Sequence, residues 1–397
     1  MGRSERSRQS PAERLGAARW ALLFGNFVIG CGVMSIAGTL NDLARSLQVS
    51  VALAGQLIAI GATVMCFGAP LLAGVVSGWD RRRLLALTLL WYAAGHLLCT
   101  LMPSYAALWP VRGLTMLGGA VFTPQAAAAI GFMASPAQRG RSITFIFLGW
   151  SLASVLGMPL AAWLGETFGW RSAFGLVAAL SVVAALWVHG VLPDGVKPAA
   201  LSRRAWRDVL THPVLMALIG VTALQSAGQF VVFSYFAPYY RVQFSATAAE
   251  ISLLFAWFGA FGLIGNLLLT RVIDRIGPGR AVLVTLSLIA LGLLLWPLAT
   301  TAIAAALVLV PWALGCFATN SGQQARLGHA APMFAPALMA LNTSAMYLGQ
   351  AAGSSSGGWL LARSGYAPLS WVGLLFLLAA ISLSLWVGRR PLAEVRV

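Results

Sequence analysis

The chain has 397 residues, 59% of them apolar and 9% charged, and a formal net charge of +16. A water-soluble domain carries roughly a quarter charged residues, so the composition excludes one and points to a membrane protein. The four cysteines (Cys31, Cys66, Cys99 and Cys316) all lie inside apolar runs. They form neither a disulfide framework nor a C-x-x-C metal pattern, and no metal or cofactor is expected.

Residues 1–19 hold Arg3, Arg6, Arg8, Arg14 and Arg19 without an apolar run, and are expected to be a disordered basic tail. Trp20 to Leu40 is the first run long enough to cross a bilayer at about 1.5 Å per residue. No small-residue cleavage site follows it, so it reads as an uncleaved span. Further spans are predicted at 51–73, 84–102, 107–133, 142–164 and 172–191. After a polar stretch, a second set follows at 213–238, 249–270, 281–298, 302–325, 336–361 and 369–388. The expected fold is an all-α membrane protein of twelve transmembrane helices in two pseudo-symmetric six-helix halves, 20–191 and 213–388. A linker, 192–212, joins them and a short tail, 389–397, follows. Within the linker, Arg203, Arg204, Trp206 and Arg207 suit an amphipathic helix lying against membrane lipids, with a passive linker as the alternative.

Arginine placement sets the topology. One alternating set of loops, with both tails, holds 21 of the 26 basic residues. The opposite set holds Arg45, Arg171, Arg241 and Arg363, and Arg112 lies within a span. By the positive-inside rule both termini are cytoplasmic. The charge therefore records orientation, and no nucleic-acid partner is expected.

Two polar knots fall between the second and third span of each half. The first contains Gly74, Asp80, Arg81 and Arg83; the second contains Asp274, Arg275, Gly277 and Arg280. Asp80 and Asp274 are 194 residues apart, close to half the chain. An acid at such a turn can hold neighbouring arginines and the positive end of the next helix, which makes a latch; a turn that only sets topology is the alternative. Arg112 in the fourth span is a costly intramembrane charge and so a functional candidate, or an arginine reaching outward to the interface. In the fifth span Gly149, Gly157, Pro159 and Gly165 form a small-residue face that permits close helix approach and a bend.

These motifs together resemble the major facilitator superfamily, particularly its drug and sugar-efflux proton antiporters, over residues 20–388. The resemblance implies a gate at Gly74, Asp80, Arg81 and Arg83 and at Asp274, Arg275, Gly277 and Arg280. Arg82 stands where the family commonly has glycine. The stretch from Arg112 to Gly118 matches the fourth-helix element associated with proton coupling. The fifth-span face resembles the antiporter signature, with Met158 inserted between Gly157 and Pro159. The stretch from Asn342 through Tyr347 to Gly349 resembles the sugar-efflux branch. Related efflux proteins place an acid near the position of Cys31 or Gly32, and this chain has none between Trp20 and Leu40. Asp42, at the end of that span, is the expected coupling partner of Arg112, with a solvated helix-end acid as the alternative. His96 is either a substitute for the acid or a packed, hydrogen-bonded residue.

The family's cavity is lined by the first, fourth, seventh and tenth helices, which here carry Asn26, Gln125, Gln225, Gln229, Phe233, Trp312 and Asn320; Asn342 joins them from the eleventh. Gln225, Gln229 and Phe233 share one helix face by spacing. Each amide suits either an uncharged ligand or a bond between helices. The resulting expectation is a monomeric transporter of the bacterial inner membrane that exports a small neutral or amphipathic solute against protons by alternating access. A proton-independent facilitator or uptake permease, and a non-transporting sensor, are the alternatives. His96, His189, His212 and His329 are scattered and not paired with carboxylates, so an enzyme is not expected. No nucleotide-binding motif points to ATP as a direct energy source.

Overall fold

The computed structural model describes residues 11–197 and 202–390, which are almost entirely helical. The predicted tail before residue 11, linker residues 198–201 and the tail from 391 lie outside the described residues. The chain divides into two compact units between Ser202 and Arg203.

In the first unit, α1 (Pro11–Ser46), α2 (Val51–Val75), α3 (Arg81–Thr100) and α4 (Tyr105–Met133) are the first four spans. The fifth is α5 (Arg139–Leu152), a wide π turn (Ala153–Gly157) and α6 (Met158–Phe168); α7 (Trp170–Val191) is the sixth. Residues 11–19, expected to be unstructured, are instead the opening turns of α1. Pro11 is tolerated there because the first helical N–H groups need no helical partner. Arg19 anchors this part, donating from Nη2 to Ser142 Oγ at 2.6 Å.

The second unit opens with α8 (Arg203–Thr211), a short helix with exposed arginines and a buried Val209. Next come α9 (Pro213–Phe233), α10 (Phe236–Phe244), α11 (Ala248–Ile276), α12 (Pro278–Leu295), α13 (Ala302–Ala330), α14 (Ala335–Ser364) and α15 (Ala367–Gly388). The predicted seventh span is broken at Ser234 and Tyr235, so α10 is a separate piece. Among the described residues, 11 segments are apolar and long enough to cross a membrane. The twelfth span, α14, is 30 residues long, but Asn342, Thr343, Ser344 and the serines 354–356 lower its hydropathy.

Glycine contacts fix the helix pairing in each unit. A Cβ on Gly149 would lie 2.3 Å from the Leu23 carbonyl oxygen, and one on Gly157 2.4 Å from Cys31 Sγ. One on Gly165 would lie 2.9 Å from Thr39 Cγ2, so α1 runs directly along the glycine face of the fifth span. The π turn ends two residues before Pro159, where a missing N–H and the ring's bulk disfavour a regular turn; the Met158 N–H bonds to Ala153 O across it. In the second unit, Cβ atoms on Gly349, Gly353 and Gly357 would approach the carbonyl oxygens of Ala223, Ala227 and Val231 to 2.2, 2.3 and 2.6 Å. Thus α9 lies along α14 as α1 lies along α5 and α6.

Candidate functional site

Asp80 stands one residue before α3 and caps it, its Oδ1 accepting the backbone N–H groups of Arg82 at 3.0 Å and Arg83 at 3.4 Å. Its Oδ2 accepts the Gly195 N–H at 2.7 Å. A carboxylate is stabilised there by the uncapped amides and the positive end of the helix. Arg81 spends its guanidinium hydrogen bonds on backbone carbonyls. Fully buried, it donates from Nη1 to the carbonyls of Val76 (3.1 Å) and Trp79 (2.9 Å), and from Nη2 to Ser77 O (3.2 Å). It thereby closes the end of α2. Its own N–H donates to Val196 O at 3.0 Å. Arg82, the departure from the family pattern, pairs with Asp194 at 2.5 Å and donates from Nε to His189 O at 2.7 Å. The loop is therefore fastened to the end of α7 and the segment following it, and Arg82, a residue outside the expected pattern, contributes an ion pair to that arrangement.

The second knot is built differently. Asp274 and Arg275 belong to the last turn of α11 and, like Arg280, are exposed. Gly277 turns the chain between α11 and α12 with φ +81°, a backbone region that side chains disfavour. Gly74 lies in α2, where its carbonyl accepts the Ser77 hydroxyl at 2.9 Å. Arg83 is exposed on the first turn of α3.

Arg112 is buried in α4 and does not reach outward. Nη1 meets His96 Nε2 of α3 at 3.1 Å, and Nη2 donates to the carbonyls of Gly32 (2.8 Å) and Val33 (3.4 Å) of α1. The Phe174 ring of α7 lies 5.7 Å from the guanidinium carbon. The expected pair with Asp42 is not made. Asp42 is ten residues beyond Gly32 along α1, about 15 Å at helical rise, and its Oδ2 accepts the Trp170 N–H at 2.6 Å. There it caps α7, whose preceding Gly169 has no side chain to do so. Glu250 likewise forms a reciprocal capping box with Thr247 at the start of α11.

The expected ligand amides separate into occupied and unoccupied groups. Asn26 donates from Nδ2 to Ile146 O at 3.1 Å and accepts the Thr123 hydroxyl at 2.9 Å, so it joins α1, α4 and α5. Gln229 accepts the Trp312 indole N–H at 2.9 Å. Trp312 is fully buried and packs in an aromatic core with Phe233, Phe258 and Trp296. These residues, expected to contact ligand, are engaged in packing the helices. Gln225 is buried in α9. By contrast Gln125 Oε1 and Asn320 Oδ1 are buried without a donor. Asn342 accepts from Thr222 Oγ1 at 2.5 Å while its Nδ2 is unmatched. Two residues not anticipated, Gln323 and Gln324, have buried Oε1 atoms without donors; Gln323 is held by its Nε2 bond to Leu218 O at 2.6 Å. With Asn320 they lie at i, i+3 and i+4 of α13, on one face. That spacing was visible in the sequence, at the polar end of a predicted span.

Two six-helix units with buried arginine and unmatched amides inside an apolar shell define a multi-pass membrane transporter. The sequence profile of the Major Facilitator Superfamily matches residues 22–335 and 221–396, and the chain belongs to that superfamily. It is 29% identical over 354 residues to the inner membrane transport protein YdhP of Escherichia coli (strain K12), covering 89% of this chain and 91% of that protein. To a "Probable sugar efflux transporter" of Pasteurella multocida (strain Pm70) it is 25% identical over 338 residues, covering 85% and 83%. The solved structure of the proton:xylose symporter XylE, bound to 6-bromo-6-deoxy-D-glucose, shares the fold with a TM-score of 0.74 at 17% identity, covering 94% of this chain and 95% of that one. These relatives are transporters, not enzymes.

Proposed function

We propose that the chain exports a small neutral or amphipathic solute, sugar-like or drug-like, in exchange for protons. The two halves would alternate access to the solute site, with both termini on the cytoplasmic side of the bacterial inner membrane. The observation that carries the solute class is the presence in each half, taken by itself, of unmatched buried amide atoms: Gln125 Oε1 in the first, and Asn320 Oδ1, Gln323 Oε1, Gln324 Oε1 and Asn342 Nδ2 in the second. A buried acceptor without a donor costs about 1–3 kcal/mol, which a hydroxyl- or amide-bearing solute recovers on binding. The relatives support the same direction: one is named a probable sugar efflux transporter. In this reading Asp80 and Asp274 with their arginines govern the inner gate, Asp80 the more strongly because it caps α3 and holds the Gly195 amide, and Arg112 takes part in proton coupling.

The test is transport by the purified protein in liposomes, with labelled xylose and chloramphenicol as neutral probes. A solute-for-proton exchanger accumulates a probe above equilibrium in vesicles made acid inside. Equilibration that ignores the pH gradient identifies a facilitator instead, and binding without flux a sensor. Gln324→Leu should raise the KM of the transported probe about tenfold, the loss of one well-placed hydrogen bond of about 1.4 kcal/mol.

A further inference from the structure

We infer that His96 carries the transported proton, with Arg112 as the group that competes for its lone pair; the assignment rests on the proton-coupled reading above. Arginine has only donors, so the 3.1 Å contact from Arg112 Nη1 requires His96 Nε2 to be bare and accepting. The ring proton is then on Nδ1, which faces Tyr92 O at 3.0 Å. A proton arriving at Nε2 takes the lone pair that Arg112 uses. Holding the proton and holding Arg112 therefore exclude one another. In the loading step one N–H bond forms at Nε2, the Arg112 contact breaks, and Arg112 retains the Gly32 and Val33 carbonyls of α1. The reverse step returns the same proton to water and restores the contact. His96 is four residues from the end of α3, about 6 Å along its axis, which sets the depth the proton must travel.

Among the described residues, no carboxylate is found in contact with His96. On its own helix His96 faces Tyr92, whose hydroxyl donates to Ile29 O at 3.0 Å, and Cys99, which contacts Thr115 of α4 at 3.9 Å. From α4 it faces Arg112, from α1 the Gly32 backbone, and from α7 the Phe174 ring at 5.6 Å. The described acids of this unit, Glu13, Asp42, Asp80, Glu166 and Asp194, all stand at helix ends or in loops. The packing at Gly32 leaves no room for an acid at that position. A Cβ there would lie 2.3 Å from Tyr92 Oη and 2.8 Å from the His96 ring, so the imidazole fills the space an acid at position 32 would need.

Two measurements test this. The first needs no solute: nitrogen NMR of the full-length protein labelled with ¹⁵N-histidine in detergent, with the His96 signals assigned by their loss in His96→Gln. The expected result at pH 7.5 is a protonated Nδ1 and a bare Nε2; an Nε2-protonated ring at that pH would overturn the assignment. The second measures flux of xylose and chloramphenicol in liposomes. Glutamine at 96 can still accept from Arg112 but cannot carry a proton. His96→Gln should therefore retain downhill exchange and lose accumulation driven by the pH gradient, while His329→Gln, in α13 of the other unit, retains both. If wild type is pH-driven and His96→Gln is equally so, the His96 assignment falls and antiport stands. If wild-type flux ignores the gradient, both readings fall.

Discussion

Two loops of similar sequence, one in each half, are fastened in different ways. Around Asp80 the polar groups are engaged with their neighbours. The acid caps α3 and takes the Gly195 amide, Arg81 closes the end of α2, and Arg82 reaches Asp194. Around Asp274, the acid and its arginines are exposed and the turn rests on Gly277. The cause is a shift of the helix boundary. Aligning Asp80 with Asp274 would start α12 at Arg275, yet α12 begins at Pro278, three residues later. Asp80 consequently meets the positive start of a helix, whereas Asp274 lies near the negative end of one, where a carboxylate is disfavoured. The same acid and arginine produce a brace or an exposed turn according to which side of a helix end they occupy.

Substitutions should separate the loops, and the largest effect is expected at Arg81. Arg81→Ala removes the side-chain donor from the carbonyls of Val76, Ser77 and Trp79 just past α2, of which Val76 O keeps the Trp79 N–H. It should cost about 3 kcal/mol, read as a lower thermal midpoint in detergent, while Arg275→Ala changes stability by less than about 0.5 kcal/mol. Equal shifts for the two would remove the contrast. Gly277→Ala comes next, losing about 1–2 kcal/mol because alanine must adopt the left-handed backbone that glycine supplies. Asp80→Ala should cost about 1 kcal/mol as a lost helix cap and increase hydrogen exchange at Gly195. The smallest effect belongs to Asp194→Asn: its side chain is 71% exposed, so the change in stability should stay below about 1 kcal/mol. A larger loss would show that the Arg82 pair, rather than Arg81, secures the brace.

Much of the architecture was legible because apolar length and arginine placement are set by the bilayer itself. Gly149, Gly157 and Gly165 marked a face on which another helix would lie, and α1 does. The finer geometry was not legible. Asp42 was the nearest acid to Arg112 in a span-by-span reading, but ten residues of helix separate it from the carbonyl that Arg112 reaches. His96 meets Arg112 only because α3 and α4 pack side by side, a register that periodicity does not fix. Asn26 and Trp312 had the composition of ligand contacts, and neighbouring helices absorb their polar atoms. Gln323 and Gln324 escaped notice because polar residues at the end of a predicted span resemble the start of a loop.

The most direct test of the gating account is the initial rate of pH-driven xylose or chloramphenicol accumulation in liposomes, for Asp80→Asn and Asp274→Asn side by side. The account predicts that Asp80→Asn slows the rate at least about tenfold, a barrier increase of about 1.4 kcal/mol, while Asp274→Asn slows it less than about threefold. Equal rates for both variants and wild type would contradict it, and so would a greater loss at Asp274.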